Sequence, residues 1–470
     1  MPDASAIATE AETRNRSART LLLLEGPILP LLLRLGLPNV AVMVAQAAVG
    51  LIETYFVSYL GTDALAGVAL VFPVLMLMQM MSAGAIGGGI SSAIARALGA
   101  GRQEEADVLL MQSTALSLIL GAIFALAALG LGPGLYRAVG GGGGALAAAL
   151  LYSNIVFAGA PLLWLLNGFA SALRGTGNML TPALVACGSA LVLVVLSPAL
   201  ILGWGPFPRL EIAGGAVSVL LAYAGGSLAL FWYIAAGRSL LRFRNMGLRP
   251  RWRHQREILR VGGIAAVNTV LTNLTIVLVT AMIGGFGAAA IAGYGIGSRL
   301  EYLLIPLVFG LGAPLVAMVG TNIGAGQLAR ARRIAWTGAA LGFAMTEAIG
   351  LLAAAFPSHW LGLFSGEPAV IATGSVYLHW VGPLFGAFGG GMALYFSSQG
   401  AGRMAWPLAA GFARIAVAVG GGWCLFRLFD GGLRGLFAMV GLGLVVFGSI
   451  IATAIARGGW RAASRWRPSA

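Results

Sequence analysis

The chain is written in long apolar runs separated by short clusters of Arg, Gly and Pro. The hydrocarbon core of a bilayer takes roughly 20 apolar residues of helix, and twelve runs reach that length. They cover approximately 30–56, 65–95, 108–132, 146–171, 181–203 and 213–237 in the first half of the chain. In the second half they cover 261–284, 289–319, 334–356, 370–398, 405–427 and 433–456. Spans two and eight are longer than a straight crossing needs, which predicts tilt or a break. The pattern therefore predicts an all-α polytopic membrane protein with twelve transmembrane helices. An N-terminal tail (1–29), an N-lobe (30–237), a linker (238–260), a C-lobe (261–456) and a C-terminal tail (457–470) are expected.

Composition agrees and removes whole classes of function. Of the 470 residues, 59% are hydrophobic and 9% charged, against about 25% charged in soluble domains. The mean hydropathy is +0.90. A water-soluble enzyme, a nucleic-acid binder and a disordered scaffold are excluded. The net charge of +14 comes from 29 basic residues, all of them Arg. Counting an arginine at the end of a span with its adjoining loop, twenty-three belong to the tails and the loops after even-numbered spans; Arg137, Arg209, Arg427 and Arg434 belong to the other loops, and Arg299 and Arg414 lie within spans. By the positive-inside rule both termini are expected in the cytoplasm of a bacterial inner membrane. The densest basic stretch, Arg238 to Arg260 with His254 and Glu257, then reads as a cytoplasmic linker between two halves. The N-terminal residues mix Arg14, Arg16 and Arg19 with Glu10 and Glu12 and read as a tail, not a cleaved signal peptide. Cys187 and Cys424 both sit in apolar runs and cannot form a disulfide framework or a zinc site. The glycine run 140–144 lacks the Lys-Ser/Thr of a phosphate loop and reads as a flexible connection.

The midpoint linker suggests duplication, and three anchors support it. Ala64-Leu65-Ala66-Gly67 recurs as Ala290-Ile291-Ala292-Gly293; Gly99-Ala100-Gly101 recurs as Gly324-Ala325-Gly326. Gly175-Thr176-Gly177-Asn178-Met179 with Pro182 recurs as Gly400-Ala401-Gly402-Arg403-Met404 with Pro407. The three anchors keep their order, and the interval between copies is the same to within a single position. Six spans per half, an even number, give two parallel repeats around a cavity, the architecture of an alternating-access transporter.

At this point the residues resemble a known family. Glu53-Thr54-Tyr55-Phe56-Val57-Ser58-Tyr59-Leu60-Gly61, followed by Ala64-Leu65-Ala66-Gly67 and Pro73, is similar to the first-to-second helix signature of MATE (multidrug and toxic compound extrusion) transporters. Ala290 to Pro306, Gly310-Leu311-Gly312, Val319 to Gly326, Gln399 to Arg403 before Pro407, and Arg414 resemble its second-half motifs. The likeness covers about residues 30 to 456 and is nearer the DinF-like branch. It implies an antiporter that exports organic, often cationic, compounds against a proton or sodium gradient. The resemblance puts the first-helix carboxylate of an N-lobe ion site on Glu53. The family's Asn-x-x-x-Asp-Pro would fall on Leu193 and Ser197 before Pro198, and its sixth-helix Thr on Val219, so most of that ion shell is replaced. In the other branch the acids lie in helices seven and ten; here those spans offer Asn268, Thr272, Asn273 and His379.

A carboxylate at a helix centre costs roughly 2.5–3.5 kcal/mol to insert, so each intramembrane acid needs a partner or a task. Three lie in spans: Glu53, Glu301 and Glu347. Glu53 shares a helical face with Gln46, Gly50 and Asn39, which marks it as a protonation site; Gln46 and Ser197 are the other candidates for ion coupling. Glu301, Asn154, Asn167, Asn268, Thr272 and His379 are candidates for the substrate cavity, with Glu301 either attracting a cationic cargo or pairing with an arginine such as Arg414. Met76, Met78, Met80 and Met81 offer an adaptable wall or ordinary packing.

The sequence thus points to a proton-coupled, or alternatively sodium-coupled, exporter of cationic or amphipathic compounds. It is expected to act as a monomer among membrane lipids without nucleic acid. A lipid-linked sugar flippase of related fold is the second reading, but would want more cations facing its cavity. No metal-ligand cluster, nucleophile–base constellation or Walker motif appears in the sequence, so neither an enzyme nor a bound cofactor is expected.

Overall fold

The computed structural model describes residues 18–243, 250–428 and 432–460. Numbered by span, the helices are α1 (Ile28–Ser58), α2 (Thr62–Gly99), α3 (Gln103–Ala138), α4 (Gly143–Ala158 and Ala160–Gly175), α5 (Leu180–Leu202) and α6 (Ile212–Ala235). The second half supplies α7 (Trp252–Gly284), α8 (Ala288–Gly324), α9 (Leu328–Ala355), α10 (Pro368–Val381 and Phe385–Gly400), α11 (from Ala405, interrupted by a π-helical turn, to Leu428) and α12 (Gly432–Ala456). Among the described residues ten helices are each long and apolar enough to cross a membrane, and the two parts of α4, bent by 48°, form an eleventh crossing. The two parts of α10, joined by the 3₁₀ turn Gly382–Leu384, complete twelve. The short helices Ala18–Glu25 and Pro357–Leu361 lie outside this count.

The breaks have identifiable causes. Proline lacks the N–H a helix interior needs, and the second part of α4 starts at Ala160-Pro161 just after Gly159. In α10 the break falls at Gly382-Pro383. There Glu347 of α9 accepts a hydrogen bond from the Gly386 backbone N–H at 2.7 Å, and the Thr346 hydroxyl donates to the Phe385 carbonyl at 2.9 Å. Glu347 therefore satisfies an N–H that the restarted helix leaves without an intrahelical partner, which is the task its carboxylate performs. The long span α2 meets its expected irregularity as a π-helical turn, Met80–Ile86.

The chain divides into two compact units, one built on Leu37–Gly262 and the other on Leu21–Gly36 with the residues from Gly263 onward. The division falls inside α1 at Gly36, next to the internal Pro38. In the second unit Asn322 donates to the Leu23 carbonyl at 3.1 Å, and Gly36 sits against Gly310 and Leu311. The linker residues that are described are fastened within the first unit. Asp107 accepts from the Arg242 N–H at 2.9 Å, Gln112 from the Arg251 N–H at 2.7 Å, and Arg96 pairs with Glu257 at 3.0 Å. Residues 244–249 of the linker, the first seventeen residues and the last ten lie outside the described residues.

The internal repeat is visible in the packing inside each unit. A Cβ on Gly175 would lie 2.8 Å from the Ser91 carbonyl oxygen, and one on Gly400 would lie 2.6 Å from the Val316 carbonyl oxygen. Both positions of the first contact return, one repeat later, as the positions of the second. Glycine is required at both places because any side chain would push the crossing helices apart.

Candidate functional site

Glu53 lies near the C-terminal end of α1, in the first unit. Its Oε1 accepts a hydrogen bond from the Tyr152 hydroxyl of α4 at 2.9 Å. Tyr152 is 2% exposed. Gly215 of α6 leaves room beside this pair: a Cβ there would lie 3.8 Å from both the Glu53 Oε1 and the Tyr152 ring. The carboxylate is half-buried, and its charge reaches Tyr223, also on α6. Tyr223 begins a second polar chain. Gln79 donates to its hydroxyl at 3.3 Å, and Asn167 of α4 donates to Gln79 at 3.4 Å and to Ser82 at 2.8 Å. Gln79 and Ser82 flank the start of the π-helical turn in α2, so Asn167 holds that irregular turn in place. The hydrogen bonds join α4 to α1 and α2 and α6 to α2, and the charge of Glu53 reaches α6. This makes an acidic, hydrogen-bonded site within one unit.

The other residues expected around Glu53 are placed differently. Gln46 is exposed on α1 and seven residues away, about 10 Å along a helix; it is not joined to the Glu53 pair. Asn39, on the same sequence stripe, is buried. Ser197 is 1% exposed, and its hydroxyl has no hydrogen-bond partner. Leu193 and Val219 are buried apolar residues and bring no ligand atoms. Among the described residues no group of three or more His, Cys, Asp or Glu could hold a metal ion.

The candidates for the substrate cavity do not form one cluster. Asn154 is exposed on the face of α4 away from Tyr152 and Ser153. Asn268 on α7 is 6% exposed, packs against Gly411 and interacts with the Tyr395 hydroxyl. The Thr272 hydroxyl is taken by its own helix, donating to the Asn268 carbonyl at 3.0 Å. His379 is exposed beside Trp380 while Tyr377 and Leu378 turn inward. Glu301 on α8 takes the second of its two expected roles: Arg414 of α11 lies 3.0 Å from its Oε1. Tyr377 of α10 donates to its Oε2 at 3.1 Å. A Cβ on Gly297 would come within 2.7 Å of the Tyr377 ring, so the glycine one turn before Glu301 makes the slot through which that tyrosine reaches it.

Sequence reading missed both tyrosines, together with Gln79 and Tyr223. The signal was present, since Tyr152 and Tyr377 stand at the same interval as Gly175 and Gly400.

Twelve membrane-crossing helices, two units with repeated internal packing and half-buried intramembrane carboxylates held by tyrosines define a secondary membrane transporter, not an enzyme. The family model MatE matches residues 38–199 and 265–423, one match in each half, and the chain belongs to that family. It is 32% identical over 362 residues to the FAD transporter of Shewanella oneidensis, covering 76% of this chain and 78% of that protein. It is 26% identical over 385 residues to the probable multidrug resistance protein YoeA of Bacillus subtilis, covering 81% of each. The crystal structure of a MATE in the bent conformation shares the fold, with a TM-score of 0.87 at 24% identity over 96% of this chain and 99% of that one. An outward-facing multidrug resistance MATE family transporter of the MOP superfamily does so with a TM-score of 0.84 at 24% identity, over 96% of this chain and 99% of that one.

Proposed function

We propose that this transporter exports organic solutes by alternating access, each cycle driven by a proton taken up at Glu53. The observation that carries this reading is the Glu53–Tyr152 pair at 2.9 Å. A membrane-embedded carboxylate with a single hydroxyl donor suits one proton, whereas sodium takes several oxygen ligands at once, usually six or so for hard cations. Where the family pattern would supply those ligands, Leu193 and Val219 are apolar and Ser197 offers one hydroxyl. In this reading Tyr152 orients the carboxylate, and the Asn167–Gln79–Tyr223 chain relays its state to the π-helical turn of α2. The arginine asymmetry supports cytoplasmic termini and a bacterial inner membrane.

The cargo has two supported readings. With Glu301 neutralised by Arg414, Glu53 remains as the acid of the candidate site, which favours cationic or amphipathic compounds. A flavin dinucleotide is favoured by the 32% identity to a protein named as an FAD transporter. The flippase reading has less support, because Arg414 is already committed to Glu301. Proteoliposomes loaded with ethidium in one arm and FAD in the other, under separately imposed proton and sodium gradients, test both questions. A proton gradient is expected to drive efflux of at least one cargo. Efflux that follows sodium and ignores the proton gradient would overturn the coupling assignment.

A further inference from the structure

The tyrosines that hold two of the intramembrane carboxylates stand at the same place in the two halves. Tyr152 and Tyr377 are separated by one repeat interval, as are Gly175 and Gly400. Both are buried, 2% and 0% exposed, and each donates its hydroxyl to a glutamate, at 2.9 Å and 3.1 Å. The glutamates themselves do not repeat. Glu53 comes from the first helix of its half and Glu301 from the second, so the same tyrosine has been given its carboxylate in two different ways.

The two copies differ in one charge. Arg414 lies 3.0 Å from Glu301, with side chains 8% and 14% exposed, and its guanidinium sits 5.3 Å from the centre of the Phe388 ring. The remaining titratable groups around Glu301 are otherwise placed. Tyr294 packs edge-on against Tyr377, Glu347 is bonded to the Gly386 N–H, Arg299 lies over Phe364, and His379 is exposed. Among the described residues Arg414 is the counter-charge that faces Glu301.

We infer that both halves carry a tyrosine–carboxylate ion site and that Arg414 is a built-in counter-ion closing the second one, which limits ion exchange to the first. An external ion can reach Glu301 only by displacing a tethered guanidinium, whose effective concentration at the carboxylate is high. Displacement would also leave a buried cation without its partner. Arg414 thereby determines how many carboxylates take part in each cycle. The inference rests on the reading of Glu53 as the coupling carboxylate.

Infrared difference spectra of the purified full chain, taken stepwise from about pH 10 down to about pH 5.5, count the carboxyl groups that become protonated above the range near 4 where ordinary exposed carboxyls titrate. Wild type is expected to show one carboxyl band, lost in Glu53→Gln and kept in Glu301→Gln. Arg414→Gln should gain a second band that the double variant Glu301→Gln/Arg414→Gln lacks, while Arg414→Lys should keep the wild-type spectrum. Loss of the wild-type band in Glu301→Gln, or a folded Arg414→Gln with a wild-type spectrum, would overturn the inference. If Arg414→Gln does not fold, Glu301→Gln decides alone: a retained band supports the inference and a lost band sinks it. A band that survives Glu53→Gln but still doubles in Arg414→Gln would instead remove Glu53 from the coupling reading and leave the role of Arg414 standing.

Discussion

Arg414 and Glu301 should show unequal and strongly non-additive effects on stability. Arg414→Gln leaves the Glu301 carboxylate with only the Tyr377 hydroxyl at 3.1 Å. Removing one partner of a buried ion pair costs about 3–5 kcal/mol, and the slight exposure of Glu301 argues for the lower end. Glu301→Gln is milder. Its amide oxygen still accepts from Arg414 and Tyr377, and the guanidinium keeps its place over the Phe388 ring, a desolvated contact worth about 2 kcal/mol. A loss of about 1–2 kcal/mol is expected, the value of weakened hydrogen bonds. The double variant removes both charges and should again lose only about 1–2 kcal/mol. The coupling between the two sites is then about 3 kcal/mol, at the top of the range for residues in contact. Equilibrium unfolding in mixed micelles titrated with SDS, followed by tryptophan fluorescence, gives all three values. Additive losses, or a larger loss for Glu301→Gln than for Arg414→Gln, would refute the reasoning.

Three further outcomes follow from particular contacts. Gly297→Ala puts a Cβ 2.7 Å from the Tyr377 ring and should destabilise by about 1–3 kcal/mol, as core overpacking does; thermal denaturation in detergent checks this. Glu347→Ala strands the Gly386 N–H and should cost about 1.5–3 kcal/mol, whereas Glu347→Gln keeps an acceptor and should recover most of it in the same assay. For topology, in a background without Cys187 and Cys424, cysteines at Gly142 or Ser365 should react with an impermeant maleimide from outside the cell. Cysteines at Gly101, Ala329 or Asn245 (the last outside the described residues) should not, and the reverse pattern would invert the orientation.

Much of the fold was legible because a bilayer allows few solutions. Apolar runs of sufficient length must be helices with internally satisfied backbones, so the twelve spans were readable to within a few residues at most ends. The exceptions have physical reasons. α7 begins at Trp252, inside the basic linker, where Asp107 and Gln112 hold the preceding Arg242 and Arg251 backbone and Arg96 pairs with Glu257 in the first turns of the helix. The break in α10 at Gly382-Pro383 was not anticipated, since the glutamate that accepts from the freed Gly386 N–H lies 39 residues earlier. The site was legible only where cost drew attention to it. Intramembrane carboxylates and an in-span arginine stand out in an apolar chain, which is how Glu53, Glu301 and Arg414 were found. Tyr152 and Tyr377 look like ordinary packing aromatics until a third dimension puts their hydroxyls on the acids. Gln46, Asn154 and His379 illustrate the opposite limit: a polar residue in a span has a helical face, but only tertiary packing decides what that face meets.

The central claim is that Glu53 carries the driving ion, and proton-driven efflux by Glu53→Gln tests it most directly. The amide has nearly the volume of the neutral acid and can still accept from Tyr152, so the variant should fold and bind cargo. In proteoliposomes under an imposed pH gradient it should lose driven efflux, while Glu53→Asp, which keeps the carboxylate on a shorter stem, retains part of it. Wild-type driven efflux by well-folded Glu53→Gln would contradict the account and pass the coupling role to another carboxylate.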